Sequence, residues 1–146
     1  MIYFPPFLGL DLGQKTLGIS ISEKGIFSIN FKTLNFPNHQ YNYLLKPLKI
    51  LIIQKNIKTI ILGFPKHMNN DLGVKGLISI NFKKRLEDYL KFDIKIILWD
   101  ERLSTKQSLI FLKNNNKNKK KIKQLKDEIA AMFILQNFLD YQNNNI

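Results

Sequence analysis

Cysteine is absent from this chain of 146 residues, which excludes disulfide bonds and thiolate metal sites and fits a reducing cytosol. Long apolar runs are absent as well. The apolar stretch at 1–7 contains two prolines and no basic residue. It therefore predicts neither a signal peptide nor a membrane span of roughly 20 residues. The length is too small for two ordinary domains, and we expect one domain over 1–146.

Acidic residues are scarce: 11 stand against 23 basic ones, which gives a formal net charge of +12 and a pI near 9.9. Arginine is rarer still and occurs at two positions. Coding bias explains the choice of lysine over arginine more readily than the excess of bases. The charge predicts a polyanionic partner, most commonly nucleic acid. An anionic membrane is the alternative, but no amphipathic basic helix supports it, and we expect no membrane association.

The hydropathy pattern predicts strands and helices in the order βββαβαβαα. Alternating residues predict strands at 7–11, 16–22 and 26–31, joined by short turns as an antiparallel meander. Strands and helices then alternate, with strands at 58–63 and 94–101 and helices at 41–55, 74–90, 105–113 and 127–141. Such alternation implies parallel crossovers. The predicted fold is α/β, a mixed five-stranded sheet flanked by helices.

Three carboxylates stand out by their positions. Asp11 ends the first predicted strand, Glu101 ends the last one, and Asp127 opens the last helix. Open α/β sheets bind ligands at strand ends, and a helix packed over that edge could add Asp127. Clustered carboxylates repel one another unless a cation lies among them, and their hard oxygens suit Mg²⁺ or Mn²⁺. Two such ions roughly 3.5–4 Å apart can clamp a phosphodiester, so the set predicts a metal-dependent nuclease.

Each carboxylate also has a purely structural interpretation. Asp11 precedes a turn, Glu101 could pair with Arg102 or a lysine, and Asp127 could stabilise a helix N-terminus. Asp100 fits a polar neighbour at a helix entry better than a catalytic group. The spacing of the set, rather than any single residue, favours the metal site.

Residues 11–18 also fit the D-x-G-x-x-x-x-G phosphate hairpin of actin-like ATPases, whose glycines let backbone amides approach phosphate. That fold uses two domains with the nucleotide between them. The length of this chain supplies one, so nucleotide hydrolysis is less favoured than nuclease activity.

Basic and polar residues near the same edge are candidate phosphate contacts. A loop after the strand at 58–63 also contains His67, which fits a solvent-facing residue better than a metal ligand. The Lys/Asn-rich segment at 113–126 carries seven lysines and no acid, and it predicts a flexible arm that attracts a phosphate backbone without reading sequence. The candidates for nucleic-acid binding are Lys15, Lys66, Asn69, Arg102, Lys119, Lys120, Lys121 and Lys123.

Four motifs occur in order at 9–18, 63–68, 99–105 and 127–131, and the most specific reads Trp-Asp-Glu-Arg-Leu-Ser-Thr. Together they resemble the YqgF family, also called RuvX, of RNase H-like nucleases over roughly 7–140. The resemblance implies an RNase H-like fold and a cytoplasmic bacterial protein. It further implies a nuclease that matures the 5′ end of pre-16S ribosomal RNA. Family carboxylates fall on Asp11, Glu101 and Asp127.

The resemblance leaves two alternatives open: a Holliday junction resolvase acting on four-way DNA, and a non-catalytic, ribosome-associated RNA-binding factor. The expected partner is RNA, as pre-16S rRNA or a pre-ribosomal particle, and the expected state is a monomer or weak homodimer. The chain departs from the family pattern at Thr16, Glu23, Lys66 and His67. These departures leave the carboxylates intact and affect only the expected phosphate contacts.

Overall fold

A computed structural model describes residues 2–64, 73–100, 110, 114 and 119–145. Its strands are β1 (Phe7–Leu12), β2 (Thr16–Ser22), β3 (Ile29–Asn35), β4 (Thr59–Phe64) and β5 (Lys95–Asp100). They form one sheet in the order β3-β2-β1-β4-β5. The β1–β2 and β2–β3 pairs are antiparallel, whereas the β1–β4 and β4–β5 pairs are parallel. The predicted mixed five-stranded sheet is confirmed, with β4 lying between the first strand and the last.

Helices cover both faces of the sheet. A 3₁₀ helix (Tyr41–Leu44) leads into α1 (Leu45–Gln54), and the other helices of the described residues are α2 (Val74–Leu90) and α3 (Lys119–Asn144). Pro47 lies in the first turn of α1, where its missing N–H costs no helical hydrogen bond. Within the described part of the chain, no helix is both long and apolar enough to cross a membrane.

Alternation along β1 separates two apolar cores. Leu8 and Leu10 are buried in the larger core, which α1 and α2 cover. Phe7 is buried in the smaller core with Phe138 and Leu139 of α3. We call the two sides of the sheet the α1/α2 face and the α3 face. Because side chains alternate, Gly9 and Asp11 lie on the α3 face with Phe7.

Small residues on β1 and β2 let α3 lie close to the sheet. A β-carbon at Gly9 would be 2.8 Å from Leu135 Cβ and 2.9 Å from the Ala131 carbonyl oxygen, which is closer than such atoms pack. Ser20 lies opposite Gly9, and its buried hydroxyl donates a 2.7 Å hydrogen bond to the same carbonyl. Gly9 therefore sets the distance between α3 and the sheet, and the Ser20 hydrogen bond fixes where α3 lies along the strand.

We expect Ser20→Ala to lower the free energy of unfolding by about 1 kcal/mol, because it removes a buried hydrogen bond between sheet and helix. Ser79→Ala is the matched control, since the Ser79 hydroxyl bonds only to the Lys75 carbonyl within α2. Urea unfolding followed by circular dichroism measures both. Equal stability of the two variants would show that the Ser20 bond does not hold α3.

The third strand was predicted at 26–31, but β3 begins at Ile29 and ends at Asn35. The prediction was wrong because side chains of α3 bind the backbone before Ile29. Gln136 accepts a 2.8 Å hydrogen bond from the Ser28 amide and donates a 3.0 Å bond to the Ile26 carbonyl. This backbone is therefore bonded to the helix rather than to β2.

The last helix was predicted to begin at Asp127, but α3 begins at Lys119. Lysine is a good helix former, but a helical segment made mostly of lysine shows no regular spacing of apolar residues. The start of α3 could therefore not be recognised from the apolar pattern. Residues 119–126 of the Lys/Asn-rich segment belong to α3, whereas 113 and 115–118 lie outside the described residues. The predicted helix at 105–113 lies outside them too, apart from a helical residue 110.

Candidate active site

Asp11 lies near the carboxyl end of β1 and is half-buried on the α3 face. Its direct partner across the antiparallel pair is Gly18 of β2. Residues directly opposite in such a pair have α-carbons about 4.5–5.5 Å apart and project from the same face. On the α3 face, the neighbour of Asp11 across the strand pair is therefore a glycine, which has no side chain.

Asp127 is held against that same glycine. A β-carbon at Gly18 would overlap the backbone carbonyl of Asp127 and lie 2.9 Å from the Glu128 amide nitrogen. No other residue type leaves this space free. Asp11 and Asp127 are thus brought to one position of β2, the first as the cross-strand partner of Gly18 and the second as the helical backbone resting on it.

The position of Asp127 within α3 changes its interpretation. Eight residues of the helix precede Asp127, so its carboxylate lies beyond the first turn. The attraction of a helix N-terminus for negative charge falls off within that first turn. Helix capping does not account for it. Ala131, one turn further on, makes the next close contact with the sheet through Ser20 and Gly9.

Glu128, the neighbouring acid, is directed to another strand. Its Oε1 accepts a 2.7 Å hydrogen bond from the Asn30 side-chain amide, and its Oε2 accepts a longer 3.4 Å bond from the Thr33 hydroxyl. Thr33 pairs with Gly18 on the side opposite to Asp11. Glu128 therefore fastens α3 to β3.

The end of β5 separates Asp100 from this cluster. The Trp99 ring lies on the α3 face, 5.3 Å from the Phe138 ring and 5.4 Å from the Tyr141 ring. Leu98 packs with the core under α1 and α2. By alternation, Asp100 projects to the α1/α2 face, away from Asp11. Glu101, the next residue, lies outside the described residues.

The turn between β1 and β2 carries Lys15, whose side chain is exposed. The Gly13 amide donates a 2.8 Å hydrogen bond to the Thr16 carbonyl, and the Phe36 amide donates a 3.0 Å bond to the Lys15 carbonyl. The turn is therefore fixed from both sides beside Asp11. His39 lies in a loop and is exposed, and its Nδ1 lies 3.2 Å from the Tyr41 hydroxyl.

The other candidates for nucleic-acid binding are placed less fully. Lys66, Asn69, Arg102 and the loop residue His67 lie outside the described residues. The remaining four, Lys119, Lys120, Lys121 and Lys123, lie in the first turns of α3.

Asp11 and the backbone of Asp127 both border Gly18, and the described residues hold no group of three or more histidines or acids suited to a metal ion. The third predicted ligand, Glu101, is not among those residues. Carboxylate oxygens are the ligands that Mg²⁺ and Mn²⁺ prefer, so the chemistry of Asp11 and Asp127 fits such an ion. In the sequence Gly18 stands out only as the last glycine of the phosphate-hairpin pattern at 11–18, although a glycine inside a strand also commonly marks a close backbone approach.

Comparison with solved structures shows the same fold in RuvC. The Thermus thermophilus RuvC in complex with a Holliday junction substrate superimposes with a TM-score of 0.59 at 10% identity, over 94% of this chain and 95% of RuvC. A second Thermus thermophilus RuvC structure gives a TM-score of 0.56 over 96% and 97% of the two chains. Identity this low supports a shared fold alone, and the predicted RNase H-like fold is confirmed.

Sequence comparison identifies the family. A relative from onion yellows phytoplasma, named "Putative pre-16S rRNA nuclease", is 61% identical over 135 residues, which cover 92% of this chain and 88% of the relative. A relative of the same name from Geobacillus sp. strain WCH70 is 41% identical over 91% of this chain and 96% of its own. The model of the RuvX family, described as Holliday junction resolvase, matches residues 6–141. As its motifs predicted, the chain belongs to the RuvX family.

Proposed function

We propose that this protein is a metal-dependent endonuclease that hydrolyses phosphodiester bonds in RNA and matures the 5′ end of pre-16S rRNA. The observation that carries the proposal is the contact of the Asp127 backbone with Gly18, the cross-strand partner of Asp11. Two acidic residues that border the same glycine, in a chain with a net charge of +12, suit a cation facing a polyanion. The names of the phytoplasma and Geobacillus relatives support the choice of RNA.

Asp11, Asp127 and Glu101 would hold Mg²⁺ or Mn²⁺. Glu101 directly follows the last residue of β5 in the sequence and lies outside the described residues. When bound, a divalent ion of this kind activates a water molecule and stabilises the leaving oxygen. The carboxylates would supply charge and position, and Gly18 lets the backbone of Asp127 lie close to β2.

Lysines around this cluster would hold the phosphate backbone. Lys15 extends from the fixed turn next to Asp11, and the lysines at 119–123 lie on α3 within two turns of Asp127. We add Lys66, Asn69 and Arg102 from their positions in the sequence. Contacts of this type neutralise phosphates and fix register without reading base sequence.

Metal dependence is the direct test. A 5′-labelled pre-16S precursor incubated with the purified chain and Mn²⁺ or Mg²⁺ is expected to yield a defined product, and excess EDTA is expected to remove it. An Asp11→Asn preparation, purified in parallel, controls for contaminating nucleases. Cleavage that persists in EDTA, or that Asp11→Asn retains in full, would overturn the proposal.

Four-way DNA is the second candidate substrate, favoured by the description of the family model. Symmetric resolution of a junction needs two active sites, so it requires a dimer. A matched assay on junction DNA and precursor RNA, with the oligomeric state measured by sedimentation, separates the two. We expect a monomer or weak homodimer in the cytoplasm that prefers RNA. Tight RNA binding without any turnover would instead indicate a non-catalytic RNA-binding factor.

A further inference from the structure

A groove of about 530 Å³ lies between the 3₁₀ helix, α1 and α2. It opens on the α1/α2 side of the sheet, whereas Asp11 and Asp127 lie on the α3 side. Three basic residues and one acid line it, so its charge is positive. Its lining includes Asn42, Lys49, Arg85, Asp88, Tyr89 and Lys91.

Arg85 is the centre of this groove. Its Nη1 donates a 3.3 Å hydrogen bond to the Asn42 side-chain oxygen, which links α2 to the 3₁₀ helix. A guanidinium group has five N–H donors, and within the described residues Arg85 makes no other bond. Asp88 follows one turn later on α2 but forms no ion pair with Arg85 in that part of the chain. Arg85 is exposed, so its other N–H groups, which have no acceptor in the described part of the chain, are open to a ligand.

The two lysines are positioned by other parts of the structure. Lys49 of α1 is half-buried, and its ammonium lies 5.4 Å from the centroid of the Tyr89 ring, a distance typical of a cation–π contact. Lys91 follows the last residue of α2 with φ of 55°, the left-handed conformation that ends a helix. The Lys49 ammonium is thus held at one wall of the groove, and the helix end places the exposed Lys91 at another.

Arginine at this position is informative because the chain uses lysine at all but two of its 23 basic positions. A guanidinium is a planar fork that binds two oxygens of one phosphate, whereas an ammonium acts as a point charge. A fork with open donors, with the Lys49 ammonium held at a second wall and Lys91 at the same groove, suits successive phosphates of a nucleic-acid backbone better than it suits a single carboxylate ligand.

We propose that this groove binds the phosphodiester backbone of the RNA substrate at a second point, on the sheet face opposite to the candidate active site. The identity of the ligand as RNA rests on the proposed function. Because the groove and the carboxylates lie on opposite faces, only RNA long enough to pass around the sheet can occupy both. The groove therefore selects a long or structured precursor over a short oligonucleotide.

Fluorescence anisotropy with labelled precursor RNA in EDTA tests the groove without cleavage. Arg85→Ala is expected to weaken binding about tenfold and to reduce the salt slope by about one. Lys49→Ala should weaken it about threefold from a different helix, and Arg85→Lys should recover part of the loss. Lys24→Ala, an exposed lysine in the turn after β2, is the control for loss of one charge and should bind as the parent chain does.

A second arm uses an oligonucleotide of a few nucleotides, whose affinity Arg85→Ala should not change. Circular dichroism of each variant verifies folding. Unchanged precursor binding in Arg85→Ala and Lys49→Ala would contradict RNA binding in the groove and would leave the proposed nuclease activity intact. Conversely, a chain that binds through Arg85 but never cleaves RNA would contradict the proposed function while supporting the groove.

Discussion

Asp11→Asn is expected to lower metal-dependent RNA cleavage by at least about a hundredfold, because an amide cannot replace the charge of a carboxylate ligand. Asp127→Asn should have a similar effect. Both residues border Gly18, so removing either one leaves a single carboxylate at that position among the described residues. Calorimetric titration with Mn²⁺ should show weaker binding in both variants, in parallel with the loss of cleavage.

The chain offers a matched control next to the site. Glu128→Gln removes the same charge one residue along α3, but the Glu128 carboxylate binds Asn30 and Thr33 of β3. Cleavage and Mn²⁺ affinity should therefore stay within about threefold of the parent chain, with a loss of stability below about 1 kcal/mol. If Glu128→Gln and Asp127→Asn lost cleavage equally, the loss would reflect the charge of this region and not a metal site.

Sequence patterns predicted the strands of the core well because burial dictates them. The second strand, 16–22, and the helix at 74–90 have the predicted bounds. Their apolar residues follow the period of a half-buried strand and of a helix. The structure buries Leu17, Ile19 and Ile21 of the strand and Phe82, Leu86 and Leu90 of the helix, whereas Val74 and Leu77 in the first turn of the helix are exposed. Where one face of a strand or helix must be buried, the spacing of its apolar residues predicts the type of element.

Prediction failed where polar side chains determine the structure. Ile26 and Phe27 suggested a strand, yet both are exposed, and the backbone nearby is bonded to Gln136. Contacts between residues more than 100 positions apart leave no periodic signal. The start of α3 failed for a related reason, since lysines on a helix show no apolar stripe.

The candidate site was predicted from strand ends and a resemblance, and the structure adds that two of its residues border the same glycine. Asp11 and Asp127 are 116 positions apart, and hydropathy relates neither to the other. Gly18 connects them, by pairing with one and contacting the backbone of the other. Gly18 allows this approach because it has no β-carbon, and the sequence shows this only as a glycine within a strand.

Gly18→Ala is therefore expected to lower cleavage by about a hundredfold although it removes no functional group. The added methyl would overlap the Asp127 carbonyl, so α3 must move away from β2 at that turn. A displacement of roughly 1 Å at a catalytic group can cost about a hundredfold in rate. Over-packing should also lower the free energy of unfolding by about 1–3 kcal/mol. Single-turnover cleavage, with urea unfolding of the same preparation, measures both effects.

Gly25→Ala separates displacement from loss of stability. Gly25 has φ of +78°, and a β-carbon there would lie 3.1 Å from the Phe7 ring, so the substitution strains the far end of the hairpin. Its cost, about 1–2 kcal/mol, is comparable, but it does not touch α3 at Asp127. Cleavage by the folded Gly25→Ala protein should match the parent chain. Because destabilisation alone would then leave the rate unchanged, a selective loss in Gly18→Ala means that the spacing between Asp11 and Asp127 limits cleavage. Equal losses in both variants would mean that stability does.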